Sequence, residues 1–125
     1  MKPKPLLIVE DEIILAKDLE GRLIDMGYRV VDIACTGPAA IAATEQFRPD
    51  LILMDIRLSG EVDGIDAALE IRKSHRTPVI FLSAYADEQT RQRVQAVGLC
   101  KFLSKLIPDR DLHTAIESAL AGHLA

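Results

Sequence analysis

What this chain lacks narrows its reading first. No apolar run approaches the roughly 20 residues that a helix needs to cross a bilayer, and after Met1, Lys2, Pro3, Lys4 and Pro5 only four apolar residues precede Glu10. Neither a membrane span nor a secretory leader is expected. Lysine and arginine form no block. Acids and bases are mixed along the whole chain, and a formal charge of -4 offers nothing to track a phosphate backbone, so direct nucleic-acid binding is not expected. The only cysteines, Cys35 and Cys100, make neither a CxxC pair nor a Cys/His cluster. Both read as small core residues in a reducing, cytoplasmic setting. No internal repeat, low-complexity tract or linker is visible.

What is present alternates. With 125 residues, 49% of them hydrophobic, residues 1–125 are expected to form a single domain with a real core. Residues 6–9 are a continuous apolar run ending in acids, the pattern of a strand buried on both faces. Leu15, Leu19, Leu23 and Met26 then recur at helical spacing, and Gly27 stands where a left-handed turn would close that helix. Residues 28–35 read as a strand. Thr36, Gly37 and Pro38 look like a cap and a first-turn proline for a helix with the stripe Ala40, Ala43 and Phe47. Pro49 ends it, and residues 51–54 form a buried strand that delivers Asp55. Residues 56–63 read as a loop, before a helix begun by Ile65, Ala68 and Leu69. Pro78 opens a strand over 79–82 that ends at Ser83. A polar helix over 87–97, closed by Gly98, has only Val94 and Val97 as main apolar contacts, so its grip on the core should be weak. Residues 100–103 form the last strand, Lys105 follows, and Leu112, Ile116, Ala119 and Leu120 stripe the last helix.

Five such alternations predict an α/β fold: a doubly wound five-stranded parallel sheet in the flavodoxin-like order 2-1-3-4-5, with helices on both faces. Ligands bind such sheets outside the carboxyl ends of the strands. There the sequence puts Glu10 and Asp11, then Asp55, Ser83 and Lys105. Two unit charges about 4 Å apart repel by about 4 kcal/mol at an effective dielectric of about 20, so three clustered carboxylates call for a cation. All-oxygen ligation suits magnesium, and zinc is not expected because no cysteine or histidine falls at these ends.

Ile8-Val9-Glu10-Asp11-Glu12, Leu51-Ile52-Leu53-Met54-Asp55, Asp63-Gly64, Pro78-Val79-Ile80-Phe81-Leu82-Ser83-Ala84 and Phe102-Leu103-Ser104-Lys105 resemble the signatures of receiver domains of two-component response regulators. They stand in family order and cover nearly the whole chain. The resemblance implies that Asp55 accepts a phosphoryl group from a histidine kinase or a histidine phosphotransfer protein, and that a downstream protein target reads the change. It implies Mg2+ held by Asp11, Asp55 and the backbone carbonyl of Arg57, with Glu10 acting through water. Lys105 would pair with a phosphate oxygen, Ser83 would hydrogen-bond the phosphoryl group, and Phe102 would be the aromatic switch. A homodimer through the last two helices is compatible with it.

Taken singly these residues have ordinary readings: helix-start acids for Glu10 and Asp11, a turn serine, a surface lysine, a core or rim aromatic for Phe102 and Tyr85. His75, His113 and His123 read as surface residues, and Arg91, Arg93 and Lys101 as a solvated face. Two departures from the family pattern stand out: Leu106 follows the lysine where proline is common, and Ser59 replaces a usual proline in a loop one residue longer than usual. Two other functions compete. A passive receiver-fold scaffold finds its hint in Leu106. A hydrolase working through an aspartyl phosphate would resemble Asp-x-Asp, but Asp55-Ile56-Arg57 puts arginine, which cannot exchange protons, in the second position.

Overall fold

The structure, a computed structural model, describes residues 2–84 and 87–123; Tyr85 lies outside the described residues. Its elements are β1 (Pro5–Val9), α1 (Ile13–Asp25), β2 (Arg29–Ala34), α2 (Gly37–Phe47), β3 (Leu51–Asp55), α3 (Gly64–Arg72), β4 (Val79–Ser83), α4 (Glu88–Gln95), β5 (Cys100–Ser104) and α5 (Asp109–Leu120). The strands form one sheet in the order β2-β1-β3-β4-β5, and every neighbouring pair is parallel. This is the expected doubly wound arrangement.

Strand periodicity divides the core. Leu7, Val9, Ile52, Met54 and Phe81 point to one face, against Ala40 and Ala43 of α2, Ile65 and Ile71 of α3, and Val94. Leu6, Ile8, Leu51, Leu53 and Ile80 point to the other, against Ala16 and Leu23 of α1 and Leu112 and Ile116 of α5. Every residue of β3 and β4 is buried, whereas β5 at the edge is buried only in part. Thr36 caps α2 by accepting from the Ala39 N–H at 3.1 Å, and Gly27 turns the chain after α1 at φ +97.

Four sequence readings need correction. Cys35 is exposed, because it lies one residue past the end of the edge strand β2. Leu15, Phe47 and Leu69 sit at the margins of their stripes and are 43%, 39% and 39% exposed; Leu15, in the first turn of α1, lines a small cleft instead of the core. His75 is half-buried, and its ring pairs with Glu45 at 2.8 Å. Arg93 is no free surface cation. Its guanidinium forks onto Asp63 at 2.9 and 3.1 Å and reaches Asp66 at 3.1 Å, clamping α4 to the start of α3. As expected, α4 itself buries only Val94.

Candidate functional site

The carboxyl ends of β1, β3, β4 and β5 meet at one cleft. Glu10 follows β1 and is held by its backbone N–H on the Ala34 carbonyl at 2.9 Å. Asp55 is the last residue of β3, and Ser83 the last of β4; these two and Glu10 are buried, at 7%, 5% and 6% exposure. The Lys105 N–H donates to the Ser83 carbonyl at 3.0 Å, which carries the β4–β5 pairing one step beyond the strands. At the far side α3 starts directly against β3: the Gly64 N–H donates to the Ile56 carbonyl at 2.7 Å, and a Cβ on Gly64 would lie 2.0 Å from the Asp55 carbonyl oxygen. Only glycine permits that approach.

The side chains converge. Carboxylate oxygens of Glu10, Asp11 and Asp55 lie within 4.8 Å of one another. The Lys105 ammonium donates to Glu10 Oε1 and to Asp55 Oδ2, each at 3.0 Å. The Arg57 N–H approaches Asp55 Oδ1 at 3.3 Å, the Glu12 N–H approaches Glu10 Oε2 at 3.3 Å, and the Ser59 hydroxyl donates to Asp11 Oδ2 at 3.0 Å. Beside them opens a cleft of about 300 Å³ lined by Asp11, Asp55, Arg57, Ser83 and Lys105 among others.

Charge balance suits this cleft to a cation. Burial, with the hydrogen bond and charge of Asp55, pushes the Glu10 carboxyl up to about 7 despite the neighbouring Lys105. Burial alone would lower the Lys105 ammonium, but hydrogen bonds and charge from Glu10 and Asp55 outweigh it and hold it above its ordinary value. One ammonium against three carboxylates leaves negative charge in excess. The oxygens around the cleft, with no cysteine or histidine among the described residues that line it, fit a hard divalent ion such as magnesium.

Five of the expected site residues, Glu10, Asp11, Asp55, Ser83 and Lys105, therefore meet, and Arg57 lines the same cleft. Phe102 does not join them: it is half-buried on β5, under the Arg91 guanidinium at 4.8 Å from the ring centre. Leu106 is 90% exposed, and no peptide bond among the described residues is cis. Sequence reasoning missed Ser59 as a partner of Asp11, and it missed the Arg93 clamp. Asp63 and Asp66 at i, i+3 were a legible signal for the reciprocal cap they form on α3. Nothing in the sequence connects them to Arg93, 30 and 27 residues away.

The pattern of the response regulator receiver domain matches residues 6–117. The chain belongs to this family. It is 35% identical over 119 residues to the transcriptional regulatory protein PdtaR of Mycobacterium tuberculosis, covering 95% of this chain and 58% of that protein. With the phyllosphere-induced regulator PhyR of Methylorubrum extorquens it shares 41% identity over 83 residues, 66% of this chain and 31% of that one. The signal receiver domain of a modulated diguanylate cyclase from Desulfovibrio desulfuricans has the same fold, with a TM-score of 0.90 at 32% identity over 97% of this chain and 96% of that domain. The matched segments thus span little more than half of PdtaR and about a third of PhyR. Receiver domains of response regulators are signalling domains that bind Mg2+ at an acidic pocket and interact with histidine kinases and downstream effectors.

Proposed function

We propose that this receiver is a phosphoacceptor switch, with residues 1–125 acting as one domain in the cytoplasm. The observation that carries the reading is the Lys105 ammonium, bonded at 3.0 Å to both Glu10 and Asp55 at the mouth of an acidic cleft. An oxygen of Asp55 attacks the phosphorus of a phosphohistidine on a kinase or phosphotransfer partner; the P–N bond breaks, and the imidazole leaves with its electron pair and takes up a proton. Asp11, Asp55 and the Arg57 carbonyl would hold magnesium, with Glu10 acting through water. When bound, the ion supplies positive charge for the transferring oxygens. Lys105 steadies the same charge from the protein side.

The product is an aspartyl phosphate with close to two new negative charges and three acceptor oxygens. Ser83 hydrogen-bonds the new group from the end of β4, and Phe102 turns in response, so that affinity for a protein target changes with the population of the two states. No turnover of an external substrate follows from this scheme, and none of its steps involves nucleic acid or a membrane. Incubation with acetyl phosphate and magnesium should add the mass of one phosphoryl group to the intact protein, and Asp55→Asn should stay unmodified. An unmodified wild-type chain, or uptake that survives in Asp55→Asn, would overturn the assignment.

A further inference from the structure

We propose that Ser59 is a positioning residue for the divalent cation, setting the carboxylate of Asp11 through its hydroxyl; this rests on the reading of Asp11 as a magnesium ligand. The Ser59 hydroxyl donates to Asp11 Oδ2 at 3.0 Å, across 48 residues of sequence. Asp11 is only half-buried and follows a strand end, where a carboxylate otherwise turns freely about its Cβ–Cγ bond. A hydrogen bond to one oxygen limits that rotation and occupies lone-pair density that would otherwise turn to water. A ligand held in place before the ion arrives loses less freedom on binding.

The donor is itself held. Ser59 forms a parallel backbone bridge with Thr36, the residue that caps α2. Three residues on, Val62 packs so closely on Gly37 that a Cβ there would lie 2.5 Å from a Val62 methyl carbon. The β3–α3 loop is thus fastened to the β2–α2 junction at the serine itself and again three residues beyond it, and the hydroxyl is presented from a fixed backbone. A proline, usual at this place in the family pattern, has no hydroxyl to donate. The serine converts the loop from a spacer into an outer support of the cation cleft.

Because Ser59 is exposed and its backbone is tied by the bridge, Ser59→Ala should fold normally. Magnesium chloride titrations of the unphosphorylated chain, followed by backbone amide shifts in NMR, give the affinity without any phosphoryl transfer. Ser59→Ala should bind the ion about tenfold more weakly, the lower end of what outer-shell hydrogen bonds contribute, and Ser59→Thr should restore the wild-type affinity. Magnesium-free thermal unfolding should be unchanged, whereas a merely structural serine would move the unfolding and leave the affinity alone. Asp11→Asn separates the two layers of inference. If wild type binds, Asp11→Asn does not, and Ser59→Ala equals wild type, the role of Ser59 is overturned alone. If Asp11→Asn binds as wild type does, the ligand reading falls and the Ser59 proposal falls with it.

Discussion

Glu10 shows what burying one acid against another does to it. Folded, it keeps its proton to about pH 7, against an ordinary value of 4.5, first because it is buried and then because Asp55 lies against it. Between those values the folded chain binds more protons than the unfolded one, so in magnesium-free buffer this group makes stability fall as pH rises through the window. The cost is fully expressed at higher pH. Glu10→Gln, which leaves Lys105 its bond to Asp55, should raise stability near pH 8 by on the order of 2 kcal/mol and change it little near pH 5. Urea unfolding at the two pH values checks this, and an unchanged pH profile would contradict it. Glu10, Asp11 and Asp55 were legible in the sequence because each follows an apolar run that had to be a strand. The bond from Ser59 was not, since it depends on how a loop closes over a strand end 48 residues away.

Among the elements, α4 is held differently from the others. Its sequence announced the thin apolar contact, Val94 with Val97 beyond its end, but not the fork of Arg93 onto Asp63 and Asp66 that supplements it. A partly exposed bidentate pair contributes about 1 kcal/mol. Arg93→Ala should lower global stability by about that amount and speed amide exchange across Glu88–Gln95 more than across α2, measured by hydrogen exchange. Burial works to raise the Asp63 carboxyl, yet the Arg93 hydrogen bond and charge and the Asp66 N–H bring it below its ordinary value. The clamp is therefore complete above the usual aspartate range and is lost as pH falls through the depressed value. Equal exchange in α4 and α2 of the variant would remove the clamp's significance. Helix stripes were legible at their centres, in Ala40, Ala43, Leu112 and Ile116, and misread at their ends, in Leu15 and Phe47, where neighbours cover the apolar residue only in part.

Over the whole molecule, the sheet order was readable because alternating strands and helices leave few right-handed ways to cover both faces. The join between α3 and β3 fixes the cleft to that sheet. Gly64→Ala would push a methyl group to 2.0 Å from the Asp55 carbonyl oxygen, and backbone cannot move aside as a side-chain end does. It should cost more than about 2 kcal/mol in urea unfolding and displace the Asp55 carboxylate, whereas Gly21→Ala in α1, with nothing within 4 Å of the added carbon, should be neutral or stabilising. Wild-type stability in Gly64→Ala would show the join to be loose. Lys105 meanwhile stitches the far edge of the sheet to its middle, reaching from behind β5 to acids behind β3 and β1. An ammonium has three hydrogens to give, and two are already committed. An arriving anion that claims two of them must unfasten one carboxylate, and Glu10, the acid that protonates near neutrality, releases first, so that a change of charge at one point slackens the tie between β5 and β1 while sparing the tie to β3.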